Sequence, residues 1–198
     1  MSAHVPLSLR RKVVVVLDPE QLLPSTTPLN DRTADEAAQT TTGRFSAFKA
    51  LAWAKANVIR TNDDHVFLVT SLDPTASGLD KTVLSAMWES MVGDRDPHTD
   101  AIKTADAELE RLSGHLSRCG VSVTHEVLRG SLSERVPEYV HEHRGEILVV
   151  QAPVRGAWVD AMAYSWADVC VRKSECPVLV VKPGDVADEV ARALDPID

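Results

Sequence analysis

Short apolar runs alternate along the chain with segments whose apolar residues recur at helical spacing. The first run, residues 12–17, is a continuous stretch of mainly β-branched residues that ends at Asp18 and Pro19. An uninterrupted run of this kind is typical of a strand buried on both faces of a sheet. Four later segments also predict strands. The five predicted strands span residues 12–17, 65–70, 121–127, 147–151 and 178–182.

Helices are predicted between these strands. The clearest spans residues 101–119, because its apolar residues recur on one helical face and Gly120 follows as a stop signal. Weaker helical patterns cover residues 45–59 and 165–173. The apolar face of the clearest helix consists of Ala105, Leu109, Leu112, Leu116 and Cys119.

A further helix is predicted after Gly130. The sequence Ser131-x-x-Glu134 matches a capping box, in which the serine hydroxyl binds a backbone amide of the first turn and the glutamate reaches back to the serine amide. The helix is predicted to run to about His143, and Pro137 is a candidate for a disturbance in its middle.

Three segments without a strand pattern are interpreted as additions to a single domain of residues 1–198. Residues 19–44 are polar, rich in threonine and far longer than a usual connection of about 2 to 6 residues, so they are interpreted as an inserted loop. Residues 71–99 form a second excursion with a short predicted helix at 79–91. The tail, residues 184–198, has a weak amphipathic pattern and either docks as a last helix or frays.

The alternation of strands and helices predicts right-handed crossovers. The expected fold is therefore α/β: an open, doubly wound, mostly parallel five-stranded sheet with helices on both faces. In such a sheet a ligand binds beyond the carboxyl ends of the strands, where the strand order reverses. For the order 3-2-1-4-5 this point lies between the first and fourth strands. The candidate site is therefore Asp18 facing the loop that follows Gln151.

Composition and charge exclude several classes of partner. At 198 residues and 44% hydrophobic, the chain is large enough for one core. The formal net charge is −8 and no basic run extends beyond Arg10, Arg11 and Lys12, so neither nucleic acid nor an anionic membrane surface is an expected partner. No apolar stretch approaches the roughly 20 residues of a membrane span, and a cytoplasmic location is expected.

The cysteines and histidines give no sign of a metal site. Cys119, Cys170 and Cys176 have spacings that match neither a zinc knuckle nor a Cys-x-x-Cys motif, which fits a reducing compartment. We expect buried, inert thiols, because free cysteine usually behaves as a small hydrophobic residue. His141 and His143 would point to different faces of a helix, so they are not expected to chelate one ion. No motif supports catalysis.

Residues 12–183 resemble the universal stress protein family, in which the first strand ends in an aspartate and the fourth leads through a glycine-rich loop to a helix and a last strand that begins Cys-Pro-Val. Members usually carry Gly, two residues, Gly, nine residues and then Gly-Ser or Gly-Thr before that helix. Counting back from the last strand places Gln151, Val154 and Tyr164 at the three glycine positions, and only Ser165 is retained.

The replaced glycines argue against a phosphate cradle. Glycine lets backbone amides approach a phosphate chain closely and adopt positive φ angles, which Gln, Val and Tyr permit only at a cost. The resemblance therefore implies a non-enzymatic stress-response module with a degenerate nucleotide-binding site, which acts through protein partners and holds no ATP by the usual loop. Trp158 and Trp166, with Met162 and Tyr164, either fill the cleft or line a pocket for another small molecule.

The alternative is a nucleotide-binding or weakly ATP-hydrolysing member with ATP or AMP as its ligand. In the family an aspartate at the position of Asp18 contacts ribose and base. In this chain Val69 and Thr70, at the end of the second strand, would present backbone groups to the purine. Residues 19–44, folded over as a lid, would help to rebuild the phosphate site. Asp18, Gly130 and Ser165 also have structural interpretations as a turn, a helix start and a helix cap. The candidate site residues are Asp18, Val69, Gly130, Arg155 and Ser165.

The last strand is expected at an edge of the sheet, where an uncovered apolar strand invites pairing with another chain. In the universal stress protein family this strand commonly pairs with its copy across a two-fold axis. The resemblance therefore implies a homodimer formed through Val178, Leu179, Val180 and Val181.

Overall fold

The computed structural model describes residues 6–22, 49–73, 97–152 and 166–182. A short 3₁₀ turn at Leu7–Leu9 precedes the first strand. The strands are β1 (Arg11–Val16), β2 (Asp64–Leu72), β3 (Ser122–Arg129), β4 (Ile147–Gln151) and β5 (Val178–Val181). The helices are α1 (Pro19–Leu22), α2 (helical over 49–57), α3 (Pro97–Arg118), α4 (Leu132–His143) and α5 (Trp166–Lys173).

The five strands form one sheet in the order β3-β2-β1-β4-β5, and every neighbouring pair is parallel. The predicted fold class and strand order are therefore confirmed. β1 lies at the centre of this sheet, between β2 and β4.

Alternate residues of β1 face two helical layers. Val13 and Val15 pack in a core with residues of α2 and α3, whereas Val14 and Val16 pack in a second core with residues of α4 and α5. All four side chains are fully buried, and each such burial stabilises the fold by about 1.5 to 3 kcal/mol. The uninterrupted apolar run is explained by this position, because neither face of the strand meets water.

The apolar face predicted for the clearest helix, which is α3, is buried except at its last residue, Cys119. Leu109, Leu112 and Leu116 are fully buried against the sheet. The expectation that Cys119 is a buried thiol is wrong, since α3 ends at Arg118 and Cys119 is exposed. The Cys119 amide is shared between the His115 and Leu116 carbonyls, at 3.2 and 3.0 Å, and Gly120 follows with a φ of +79°, so the chain leaves the helix at this residue.

The other two cysteines differ from Cys119. Cys170 is buried, as predicted, and belongs to the core that packs against α4. Cys176 is partly buried just before β5. Within the described part of the chain, no group of three or more His, Cys, Asp or Glu is arranged to hold a metal ion.

The predicted capping box at the start of α4 does not form. Ser131 occupies the N-cap position, but its side chain makes no capping hydrogen bond, and its hydroxyl lies 3.3 Å from the Ser133 hydroxyl. The Ser131 carbonyl instead accepts the Arg135 amide at 2.9 Å and opens the helix. Pro137 lies within α4 without ending it.

Other differences concern the ends of elements. The helix predicted to begin at residue 101 begins at Pro97, and α1 occupies the first residues of the segment interpreted as an inserted loop. The rest of that segment, the helix predicted at 79–91 and the tail at 184–198 lie outside the described residues. Of the helices that are described, none has the length and apolar character needed to cross a membrane.

Candidate functional site

The sheet splits between β1 and β4 at the carboxyl ends of its strands. β1 pairs with β2 as far as Val16, but its pairing with β4 ends at Val15, which lies opposite Val149. β4 continues beyond this point with β5, as far as Gln151. The two halves of the sheet therefore separate where the strand order reverses, which is where ligands bind in open α/β sheets.

Asp18 and Gln151 lie on the two sides of this split. Asp18 follows β1 and is 8% exposed, and its carbonyl oxygen accepts the Leu22 amide at 3.1 Å, so it also starts α1. Gln151 ends β4 and is 1% exposed. The structure thus brings the predicted aspartate and the end of β4 together at the carboxyl edge, the border of the sheet formed by the carboxyl ends of its strands. A carboxylate and an amide at this edge provide groups that can accept or donate hydrogen bonds.

Val69 has a fully buried side chain in the second core. Its carbonyl oxygen accepts the Leu17 amide at 2.9 Å. The backbone of this predicted site residue is therefore engaged in holding β2 to the end of β1.

Two hydroxyl groups at the end of β2 join the neighbouring turns, and sequence reasoning missed this role. Thr70 is fully buried and donates its hydroxyl to the Leu17 carbonyl at 2.8 Å. Ser71 donates to the Gly130 carbonyl at 2.6 Å. The available signal was a Thr-Ser pair at the end of an apolar run, because buried hydroxyls need hydrogen-bond partners. Both hydroxyls donate to backbone carbonyls, whereas a nucleophilic hydroxyl would donate to a base.

Gly130 connects β3 to α4 and is fixed to β2 through both backbone groups. Its amide donates to the Leu72 carbonyl at 3.0 Å, and its carbonyl accepts the Ser71 hydroxyl. Its φ of +118° favours glycine, and a Cβ there would lie 3.0 Å from Cγ of Arg135. This glycine therefore has a structural role, and it brings the N-terminus of α4 to the carboxyl edge.

Arg155 and Ser165, the two remaining candidate site residues, lie outside the described residues, as do Val154, Trp158 and Tyr164. Trp166 opens α5, is partly buried and packs against the second core. This contact agrees with the interpretation of Trp166 as a packing residue.

An open depression of about 470 Å³ lies at the opposite, amino edge of the sheet. Its polar lining includes His141 and Glu175, whose Nδ1 and Oε2 atoms are 2.9 Å apart. This hydrogen bond raises the pKa of His141, and the negative charge of Glu175 adds to the effect. The depression is lined by Val140, His141, Arg144, Gly145 and Glu175.

Solved structures share this fold at low sequence identity. The hypothetical protein MJ0577 aligns with a TM-score of 0.53 and 14% identity, over 88% of this chain and 96% of its own. The hypothetical protein PH0823 aligns with a TM-score of 0.51 and 16% identity, over 87% and 95% of the two chains. A universal stress protein family protein from Arabidopsis thaliana, At3g01520, with AMP bound, aligns with a TM-score of 0.47 and 17% identity, over 87% and 91%. No curated protein matches the chain.

The sequence model of the Universal stress protein family matches residues 40–182. The match includes β2, β3, β4 and β5 with the helices between them, whereas β1 and Asp18 precede it. β1 nevertheless occupies the centre of the sheet, in the predicted strand order. The chain belongs to the universal stress protein family.

Proposed function

We propose that this protein is a non-enzymatic stress-response module that does not hold ATP through the glycine loop of its family. The buried side chain of Gln151 carries the proposal. It ends β4, at the position of the family's first loop glycine, and is 1% exposed. Residues two apart on a strand share a face, so Gln151 lies on the face of Val149, which packs toward α2 and α3. A glycine would leave this space open to an approaching phosphate.

The engaged backbone at the carboxyl edge supports the same proposal. Val69, Gly130 and the Leu17 carbonyl are tied to neighbouring strands or hydroxyls. A nucleotide at these positions would have to share or displace those hydrogen bonds, and each net hydrogen bond is worth about 0.5 to 1.5 kcal/mol.

The alternative, an adenine-nucleotide-binding member, is favoured by one observation. Asp18 lies two residues after the end of β1, beside the split between β1 and β4. A carboxylate there is suited to accept hydrogen bonds from ribose hydroxyls. Arg155 and Ser165 would then provide the phosphate contacts.

Thermal unfolding with ATP, ADP and AMP, each with and without Mg²⁺, distinguishes the two functions. A nucleotide present at 100 times its Kd stabilises the folded state by about 2.7 kcal/mol, which raises the Tm of a chain of this size by about 5 to 10 °C. We expect no increase in Tm with any of the three, and no heat of binding by calorimetry.

Two aspartate variants make the result specific. An increase in Tm that is lost in Asp18→Ala but kept in Asp63→Ala, an exposed aspartate at the amino edge, would establish the nucleotide-binding alternative. If no nucleotide changes the Tm of wild type, Asp18→Ala or Asp63→Ala, the proposed function is supported.

The apolar edge strand supports a homodimer as part of this function. Among the described strands, β5 pairs with β4 alone, and Val180 is 44% exposed on it. We expect wild-type protein at tens of micromolar to scatter light as a dimer and Val180→Lys to scatter as a monomer, because a lysine on an edge strand opposes strand pairing. Val171→Lys, at an exposed valine of α5, is the control and should remain dimeric. A monodisperse wild-type monomer would exclude this dimer.

A further inference from the structure

Three side chains with complementary chemistry meet where α3 ends beside α2. Cys119 follows α3 and is exposed. Lys55, from α2, places its Nζ atom 3.2 Å from the Cys119 Sγ atom. His115, one turn before the cysteine, has its Nε2 atom 3.9 Å from the same sulfur and 3.4 Å from the Lys55 Nζ atom. The ammonium group thus lies between an imidazole and a thiol.

The protonation of His115 suits this arrangement. Burial lowers the pKa of His115, and the positive charges of Lys55, Arg118 and Arg111 lower it further. The neutral ring that results can accept a hydrogen bond from Lys55 at Nε2. Lys55 can then donate to the Cys119 sulfur as well.

The end of α3 acts on the sulfur in the opposite direction to Lys55. The carboxyl end of α3 carries partial negative charge, which opposes a thiolate at residue 119. Lys55 provides positive charge from across the interface and Arg118 provides it from the preceding position, and both counter the helix end. Of these two cations, Lys55 is the one that contacts the sulfur.

Neither of the other cysteines has such surroundings. Cys170 is fully buried, and burial raises its pKa to about 12. Burial also raises the pKa of Cys176. Because the thiolate is the reacting form and needs access to its reagent, the three thiols should differ sharply in reactivity.

We propose that Cys119 is a site of thiol–disulfide exchange with low-molecular-weight disulfides, and that Lys55 activates it by stabilising the thiolate. In this reaction the Cys119 sulfur attacks one sulfur of the disulfide. A new sulfur–sulfur bond forms as the bond of the reagent breaks, and the released thiolate takes up the proton that the Cys119 thiol has lost. The protein becomes a mixed disulfide, and one molecule of small thiol is released.

The test is the reaction of the folded full-length protein with dithiodipyridine, an uncharged disulfide whose released thiol is measured by absorbance. We expect one equivalent to be released in a phase at least about tenfold faster than the rest. Cys119→Ser should remove this phase. Mass spectrometry after exposure to oxidised glutathione should place the added mass on Cys119.

Variants of Lys55 separate activation from simple exposure. Loss of the ammonium in Lys55→Gln removes the positive charge that contacts the sulfur. Because the contact is exposed and a less stabilised thiolate is the better nucleophile, the fast phase should slow by only about two- to threefold. Lys55→Arg keeps the positive charge and should restore most of the rate, and Lys103→Gln, at an exposed lysine of α3, should not change it. The uncharged reagent ensures that Lys55 does not act by attracting an anion.

Two results would overturn the proposal. If the three cysteines of the folded protein react at similar rates, Cys119 is not a selective site. If Lys55→Gln reacts as fast as Lys103→Gln, Lys55 does not activate the thiol. In denaturant the wild-type protein and the lysine variants should each release three equivalents, one for each cysteine, which controls for errors in protein concentration.

Discussion

The amino and carboxyl edges of the sheet, where its strands begin and end, are stabilised by different kinds of side chain. At the amino edge, the fully buried Asp64 accepts hydrogen bonds from Arg11 Nε and Nη2, at 2.9 and 2.6 Å, and from the Arg60 amide at 2.7 Å. At the carboxyl edge, the hydroxyls of Thr70 and Ser71 bind backbone carbonyls. Ionic contacts thus close one edge, while uncharged contacts hold the turns at the other.

This difference places the ionic contacts and the candidate ligand site at opposite ends of the strands. Arg11 Nη2 also donates to the Val58 carbonyl at 2.7 Å, and Lys12 Nζ donates to the His143 carbonyl at 2.8 Å, so charged residues of β1 fix the ends of α2 and α4 at the amino edge. At the carboxyl edge the pairing of β1 with β4 stops at Val15. Asp18 lies beside this gap in the pairing.

The largest effect is expected at Asp64. Asp64→Ala leaves Arg11 and the Arg60 amide without their acceptor, and removal of one partner from a buried ion pair typically costs about 3 to 5 kcal/mol. Since Arg11 is 26% exposed and solvent replaces part of the lost interaction, we expect a loss of about 2 to 4 kcal/mol in the free energy of unfolding, measured with urea.

A matched ion pair tests whether the location of Asp64 is decisive. Glu108 accepts two hydrogen bonds from Arg111 within α3, at 3.1 and 2.8 Å, but this pair joins neighbouring turns of one helix. Glu108→Ala should cost less than about 1 kcal/mol. Equal losses in Asp64→Ala and Glu108→Ala would contradict the assignment of the amino edge as the stabilising one.

A smaller effect is expected at the carboxyl edge. Thr70→Val keeps the shape of the side chain but leaves the buried Leu17 carbonyl without its hydroxyl donor, so a loss of about 1 to 2 kcal/mol is expected. Thr61→Val, at an exposed position of the turn before β2, should change stability by less than about 0.5 kcal/mol. If both variants unfold at the same urea concentration, the Thr70 hydroxyl does not hold the turn after β1.

The parallel sheet and the two cores could be predicted from the sequence because they follow from hydrophobic pattern. The strand order does not follow from that pattern, since parallel crossovers permit more than one order. The run around Val14 requires two covered faces, and the alternation of strands with helices requires parallel crossovers. These properties depend on many residues at once, so an error at one position does not change them.

The contacts at the site could not be predicted in the same way. Ser131 has the sequence of a capping residue, yet its hydroxyl lies beside Ser133, and the buried hydroxyls that organise the edge are Thr70 and Ser71. Cys119 fits the apolar face predicted for α3, but the helix ends at Arg118 and the thiol is exposed. Each of these outcomes depends on which of several local partners a polar group meets, and pattern does not specify that choice.

The smallest expected effect is a pH dependence that differs between two histidines at the amino edge. Burial lowers the pKa of His65, and the charges of Arg10 and Lys12 add to this. The unfolded chain therefore binds the proton more tightly, and the contribution of His65 to stability falls as pH decreases below about 6.5 toward the lowered pKa. His141 has a raised pKa, so its contribution is complete below about 6.5 and is lost as pH rises through that raised value.

Urea unfolding from pH 5 to 8 measures both contributions. His65→Gln should flatten the increase in stability on the acid side of about pH 6.5, because the group that resists protonation in the folded state is gone. His141→Gln should leave that increase in place and should instead remove a slight decline above it, since the exposed pair with Glu175 is screened by solvent. His65 contacts the hydroxyls of Ser122 and Thr124 at 2.8 and 3.1 Å. If these hydroxyls hold the protonated ring as well as the neutral one, the stability of His65→Gln will change with pH as that of wild type does, and His65 then has no part in the acid sensitivity of this edge.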